Sequence, residues 1–255
     1  MPSTPPDLSL VVPVFDEEGS LPRLVEEIRT ALAPLALTWE LLLVDDGSRD
    51  GSLAVMRELA AADPRLRLFA HRRNAGQTAA LASGFRAARG GVIVTLDADL
   101  QNDPADIPRL LDRLAAGDCD CVSGVRQQRQ DSWVRRLSSR IANAVRNRAT
   151  GEAITDVGCS LKAYRREFLD HLPLFDGMHR FLPTLVRWNG ARLCEIPVSH
   201  RPRRFGVAKY GIGNRLFRAL ADLGAVRWMR RRWIDPRNVA ELPPASGAPP
   251  EQPGR

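Results

Sequence analysis

Three oxygen-bearing side chains stand at alternate positions in Asp97-Ala98-Asp99-Leu100-Gln101, directly after the apolar run Val92-Ile93-Val94-Thr95-Leu96. That run has the composition of a strand buried on both faces. Pro104 follows in the first turn of a helix expected over 105–116. Two carboxylates at the carboxyl end of a buried parallel strand lie where open α/β sheets place their ligands. A small hard cation suits this chemistry, because Mg2+ takes one or two protein carboxylates and completes its shell with water and substrate phosphate. Asp-x-Asp alone is common in solvated turns, so the reading depends on what the rest of the chain places beside it.

The elements that must position these acids follow from periodicity. Residues 8–14 read as a first buried strand, with Pro13 ending its pairing and Phe15-Asp16-Glu17-Glu18-Gly19 making the turn. Leu21, Leu24, Val25, Ile28 and Leu32 then recur at helical spacing. A second strand over 39–44 ends in Asp45-Asp46-Gly47-Ser48, and a helix is expected over 52–61. A short strand over 66–71 leads to Asn74-Ala75-Gly76 and a small-residue helix reaching Ala88. The opening run is the fourth strand, and residues 119–124 are a fifth. Such alternation argues a parallel sheet with helices on both faces. Acids collect at the carboxyl ends of strands one, two and four. Neither Gly-x-Gly-x-x-Gly nor a Walker loop follows any strand, so those phosphate cradles are excluded. Phe15 stacking and Glu17 accepting from sugar or base offer another way to hold a nucleotide; an ordinary βα turn explains the same residues equally well.

The second half differs in charge. The chain of 255 residues carries a formal net charge of +7. Seven arginines fall between Arg126 and Arg148 against one acid, Asp131, and seven more between Arg215 and Arg237 against Asp222 and Asp235. This face suits a polyanion or an anionic membrane surface. Trp133, Val134, Leu137, Ile141 and Val145 mark the apolar stripe of a helix over 132–149; Leu216, Phe217, Leu220, Leu223 and Trp228 mark another over 214–233. Between them a strand is expected over 158–164, a short helix over 168–172, a longer helical segment over 178–188, and a last strand over 193–198. The aromatics fall on the helices' apolar stripes and not at stacking positions on a basic face, which argues against nucleic acid as partner. No run of eighteen apolar residues occurs, and the N-terminus has no signal-peptide pattern. Four cysteines without metal-ligand spacing are read as reduced thiols of a cytoplasmic protein. The organisation expected is a tail over 1–7, one domain over 8–233 with halves over 8–124 and 125–233, and a disordered tail over 234–255.

In order along the chain, these motifs resemble family-2 glycosyltransferases of the GT-A (Rossmann-like) α/β fold, nearest to the branch of dolichol-phosphate mannose synthase and bacterial polyprenyl-phosphate glycosyltransferases. Pro13-Val14-Phe15-Asp16-Glu17 resembles the family's nucleotide turn, and Val44-Asp45-Asp46-Gly47-Ser48 its second motif. Asp97-Ala98-Asp99-x-Gln101 resembles the donor and metal site. Asp156 with Gly158 to Arg165 resembles the acceptor-side segment, and His200-x-x-Arg203-x-x-Gly206-x-x-Lys209-Tyr210 the phosphate-binding loop. Asp16 stands where Asn is usual, and Ala208 replaces a common Ser. Many relatives also carry C-terminal transmembrane helices. Thr184 stands at the Gln position of the Gln-x-x-Arg-Trp motif ending in Arg187-Trp188, so a processive polymerase is rejected.

The resemblance implies an inverting, metal-dependent hexosyltransferase moving a sugar from GDP-mannose or a UDP-sugar to a polyprenyl or dolichyl phosphate. Asp97, Asp99 and Asp156 are then the catalytic acids, with Asp99 and Gln101 holding Mg2+ or Mn2+ and Asp97 on ribose or a metal-bound water. Pro13, Phe15, Glu17, Asp45 and Asp97 hold the nucleotide sugar, so 8–124 is the nucleotide-sugar half and 125–233 the acceptor and membrane-facing half. Arg126, Arg203, Lys209, Tyr210 and His200 take the acceptor phosphate. The expected location is peripheral, at the inner face of the cell membrane, with room for a membrane-embedded partner subunit. The alternatives are a family-2 enzyme acting on a sugar hydroxyl and a non-catalytic membrane scaffold. A phosphatase using Asp-x-Asp is disfavoured because that chemistry puts the pair after the first strand.

Overall fold

The computed structural model describes residues 4–127, 147–148, 151, 153–170, 172–202 and 213–234, with 213–220 as backbone only. A seven-stranded sheet organises them in the order β3-β2-β1-β4-β6-β5-β7. β1 (Leu8–Val14) runs parallel to β2 (Trp39–Asp45) on one side and to β4 (Val92–Thr95) on the other. β3 (Leu66–Ala70) extends the sheet in parallel beyond β2. On the far side β6 (Lys162–Arg165) lies antiparallel to both β4 and β5 (Cys121–Arg126), and β7 (Leu193–Val198) runs parallel to β5. The chain moves outward from β1 to β3, then returns to the opposite side of β1. That reversal opens a crevice beyond the carboxyl ends of β1 and β4.

Alternation along β1 explains the two layers of helices. Leu8, Leu10, Val12 and Val14 face a core completed by α1 (Leu21–Leu32), Met56 of α2 (Ser52–Ala62) and α4 (Ile107–Ala115). Val11 points the other way, into a core shared with α3 (Gln77–Ala87), α5 (Leu182–Trp188) and α6 (Gly213–Arg231). Small residues let α3 lie close to the sheet: a Cβ on Gly84 would stand 2.2 Å from Val11 Cγ1. The sheet draws strands from both halves of the chain, β6 and β7 coming from the second.

Three local expectations change. Of the strand expected over 158–164, only Lys162–Arg165 is regular strand. Gly124 N–H of β5 still donates to Leu161 O at 3.0 Å, but one residue earlier Ser160 O is taken by the Thr95 hydroxyl at 2.7 Å. The helix expected over 168–172 shrinks to a 3-10 turn, Arg166–Phe168. Asn189 Nδ2 takes the carbonyls of Phe168 and Asp170, which a continuing helix would bond within itself. In α6 the inner face belongs to the protein core: Val226 is fully buried, with Leu223 and Met229 packed beside it. Outside it, Trp228 is 61% and Ile234 84% exposed, so the helix does not present its whole apolar stripe to a lipid surface. The helix expected over 132–149 (apart from 147–148), the loop carrying Arg203, Lys209 and Tyr210, and the tail from 235 lie outside the described residues. Among the described residues no helix is long and apolar enough to cross a membrane.

Candidate active site

The turns after β1 and β2 are laced into one rim. Asp16 adopts a left-handed backbone (φ 50°), a conformation Asp and Asn reach at lower cost than most residues. Its N–H donates to Ser48 Oγ at 2.9 Å, and its Oδ1 accepts from Arg49 N–H at 2.7 Å. Asp in place of the usual Asn therefore still closes the turn. Glu17 is buried, its N–H donating to Ser52 Oγ at 2.8 Å and its Oε2 accepting from Ser20 Oγ at 3.3 Å. Buried Asp45 accepts from Ser48 N–H at 3.2 Å. Pro13 pairs in register with Val44, so Pro13, Phe15, Glu17 and Asp45 meet at one end of two neighbouring strands. These bonds serve the turns themselves, as strand-end capping would.

Beside this rim the turn after β4 carries Asp97, Asp99 and Gln101. Leu100 sits in the left-handed region (φ 61°) although its side chain is buried. For a residue with a branched side chain this costs roughly 1–2 kcal/mol, and such strain gathers where a turn must aim its neighbours. Asp99 Oδ1 accepts from Gln101 N–H at 3.1 Å, and Asp97 Oδ1 accepts from Gln77 Nε2 at 2.8 Å. Burial pushes the Asp97 carboxyl up to about 6, and the charge of Asp99 pushes the same way. A hydrogen bond with Ser160 and the charges of Lys162 and Arg126 pull against them.

The acceptor-side residues come to the same edge. Asn102 forms an isolated bridge with His200, and Arg201 N–H donates to Gln101 O at 2.8 Å. The Arg201 guanidinium spans from Glu27 Oε2 (2.6 Å) to Asp103 Oδ2 (2.5 Å), stapling the start of the loop after β7 onto the Asp-bearing turn. Asp156 and Arg126 meet each other: Nε to Oδ2 at 2.7 Å and Nη2 to Oδ1 at 2.8 Å, with Arg126 N–H adding a third bond. Gly158 makes room, since a Cβ there would stand 2.7 Å from Arg126 Nη2.

A cavity of about 880 Å3 opens beneath Asp97, lined by Gln77, Ser160, Lys162, Asp176, His179 and Arg180 among others. Of these, Ser160 and Lys162 fall within the 158–165 segment, while Gln77, Asp176, His179 and Arg180 lie outside every sequence motif. Lys162 was the most visible: a lysine between Leu161 and Ala163 in an apolar strand signals a buried cation. Its ammonium is buried against the carbonyls of Cys159 and Val157, and burial lowers its proton affinity. Burial, with Arg180 nearby, pushes His179 down to about 4, and its Nδ1 meets Thr78 Oγ1 at 2.8 Å.

The cysteines behave differently from their spacing. Cys119 and Cys194 come together with Asp118 within 4.8 Å, and the Arg113 guanidinium contacts both Asp118 and Cys194. This group stands at the amino ends of β5 and β7, away from the acid-bearing turns.

A mostly parallel sheet with three acid-bearing turns at its carboxyl edge, set at the point where strand order reverses, defines a GT-A-type α/β protein. A mannosyltransferase from Pyrobaculum calidifontis, solved with GDP-Man and Mn2+, superimposes with a TM-score of 0.61 at 21% identity, over 95% of this chain and 67% of its own. Glucosyl-3-phosphoglycerate synthase from Mycobacterium tuberculosis, solved with Mn2+, UDP-Glc and phosphoglyceric acid, gives 0.63 at 20% identity over 91% and 81%. At those identities the likeness speaks for the fold alone. The chain belongs to glycosyl transferase family 2, whose model matches residues 9–172. It is 42% identical over 229 residues to a dodecaprenyl-phosphate galacturonate synthase of Rhizobium johnstonii, covering 88% of this chain and 68% of that protein. An undecaprenyl-phosphate 4-deoxy-4-formamido-L-arabinose transferase of Sodalis glossinidius is 45% identical over 207 residues, 80% of this chain and 63% of that one. The chain thus spans about two thirds of the length of these relatives.

Proposed function

We propose that this chain transfers a sugar from a nucleoside-diphosphate sugar to a polyprenyl phosphate with inversion at the anomeric carbon. The observation that carries the reading is the Arg201 staple, which sets the loop after β7 against the Asp97–Gln101 turn. That loop begins with His200 and, by resemblance, continues to Arg203, Lys209 and Tyr210 at the acceptor phosphate. In the reaction an acceptor phosphate oxygen attacks the anomeric carbon while the bond to the donor diphosphate breaks and its electron pair leaves on phosphate. An ionised phosphate needs no general base, whereas a sugar hydroxyl does. The Asp156 carboxylate that a base-catalysed reading would use is engaged by Arg126, which supports the phosphate acceptor over a hydroxyl.

Asp99, Asp97 and the Gln101 amide offer hard oxygens that fit Mg2+ or Mn2+. Burial, and after it the charge of Asp99, raises the Asp97 carboxyl, and a cation bound there would offset both. Such an ion supplies Lewis-acid stabilisation of charge on the leaving diphosphate. Glu17 and Asp45, with Phe15 and Pro13, hold the nucleoside end, and the cavity below Asp97 receives the sugar. Arg126 reaches the site paired with Asp156, so it takes the acceptor phosphate only in exchange for that carboxylate.

Docking at an anionic membrane surface, at the inner face of the cell membrane and beside a membrane-embedded partner, belongs to the same proposal. Exposed Trp228 and Ile234 lie among Arg227, Arg230, Arg231 and Arg232, an arrangement suited to the headgroup region. The test is transfer from a panel of UDP- and GDP-sugars to polyprenyl phosphate or polyprenol on anionic vesicles, with Mn2+ or chelator. Product forms only with the phosphate and metal. Equal transfer to polyprenol or to a free sugar would refute the phosphate-acceptor reading.

A further inference from the structure

A chain of hydrogen bonds leads from the outer surface of α3 to the cavity. Ser83 Oγ meets His71 Nε2 at 2.9 Å, and His71 Nδ1 meets Asp46 Oδ1 at 2.8 Å. Asp46 can only accept, so Nδ1 carries a proton. The same carboxylate accepts from Ala75 N–H at 2.9 Å through Oδ1 and from Gly76 N–H at 2.8 Å through Oδ2. Its backbone carbonyl takes Asn74 Nδ2 at 3.1 Å. One buried acid therefore ties down the turn between β3 and α3. Gly47 (φ +72°) lets that turn sit directly on β2, since a Cβ there would be 2.6 Å from Asn74 N. The turn delivers Gln77, the first residue of α3, whose Nε2 donates to Asp97 at 2.8 Å.

We propose that His71 is a positioning residue for the donor side of the site: with Ser83 it fixes the Asp46 carboxylate, which holds the 73–77 turn and so sets Gln77 against Asp97. The inference rests on the donor reading above for its kinetic consequence, but not for its structural one. An Asp46 side chain bonded only to Ala75 and Gly76 would rotate about its χ angles, since both donors lie on the segment it is meant to fix. His71 supplies a contact from β3's end, and Ser83 prevents the imidazole from turning away. Charge-assisted hydrogen bonds to a buried carboxylate are shorter and stronger than neutral ones, which suits this role. His71 touches no atom expected to react, and the Ser-His-Asp geometry is not a hydrolytic triad: Ser83 lies within a helix, and the cavity does not reach it.

Three variants of the full chain test it: His71→Leu, His71→Asn, which keeps an N–H for Asp46, and Ser83→Ala. The first readout is amide hydrogen exchange, which needs no substrate. His71→Leu raises exchange across 73–77 at least tenfold, while amides of β1 and β4 keep wild-type protection; His71→Asn restores most of the protection, and Ser83→Ala falls between. Wild-type exchange at 73–77 in His71→Leu, or an equal rise throughout the sheet, overturns the positioning role. The second readout is kinetic, using UDP-sugars or GDP-sugars with Mn2+ and a polyprenyl phosphate. His71→Leu raises the donor KM at least fivefold more than the acceptor KM, with His71→Asn close to wild type. If exchange behaves as expected while both KM values move together, the turn is held by His71 but does not serve the donor, and the proposal fails at that link. If the wild type shows no transfer with any donor, the assigned function fails, and the exchange result alone decides the role of His71.

Discussion

Asp97 offers a direct test of the proposed cation site. Its folded-state value of about 6 stands against an ordinary 3.8, so the native protein holds this proton more tightly than the unfolded chain. Between those two values the native state binds more protons, and stability falls as pH rises. A difference of about 2 units corresponds to roughly 3 kcal/mol at 1.36 kcal/mol per unit. Metal-free protein is therefore expected to lose about 2–3 kcal/mol of unfolding free energy from this group between pH 4 and pH 7. Urea unfolding of wild type and Asp97→Asn, across that range in chelator, isolates the contribution by difference. Asp99→Asn removes the like charge and shrinks the slope without abolishing it, because burial is the larger cause. Mn2+ at pH 7 restores stability to wild type far more than to Asp99→Asn, and the neutral amide abolishes transfer while leaving the fold intact. Identical pH profiles for wild type and Asp97→Asn would refute a buried Asp97 carboxyl that holds its proton more tightly in the fold. Equal Mn2+ stabilisation of wild type and Asp99→Asn would take Asp99 out of the metal site.

Two further outcomes follow from packing and charge. Gly84→Ala places a methyl 2.2 Å from Val11 Cγ1, so α3 must shift from the sheet; an expected loss of about 1–3 kcal/mol is read from urea midpoints, with Gly224→Ala, whose Cβ meets nothing within 4 Å, as the control that shows only the helix-propensity gain of up to about 1 kcal/mol. Arg201→Ala breaks contacts to Glu27 and Asp103, each only 20% exposed at the side chain; a stability loss of about 1–2 kcal/mol is expected together with an acceptor KM that rises more than the donor KM, and equal effects on both would detach the loop after β7 from the acceptor.

The sequence by itself determined the strands and most helices, because burial on one or two faces leaves a period in the residues. The run of residues 8–14 and the acids after strands one, two and four were legible this way. So was the family, through motifs that keep their order. The chain's linear pattern left unresolved which polar groups spend their bonding on the scaffold. Asp45 and Asp46 are neighbours of one type, yet Asp46 anchors the next turn through His71, Ala75 and Gly76 while Asp45 reaches Ser48. Asp156 and Arg126 were assigned separately, one to the catalytic acids and the other to the acceptor phosphate, and only the fold shows them bonded to each other across thirty residues. Cys119 and Cys194 are likewise joined by β5 lying beside β7, a pairing no local spacing encodes. The antiparallel placement of β6 between β4 and β5 brings Lys162 under Asp97, and strand order is set by long-range pairing and not by periodicity. In α6 the stripe itself was readable, but its face was not: the hydrophobic period says that a helix has an apolar side, and only tertiary packing decided that Val226 would meet the core while Trp228 faces outward.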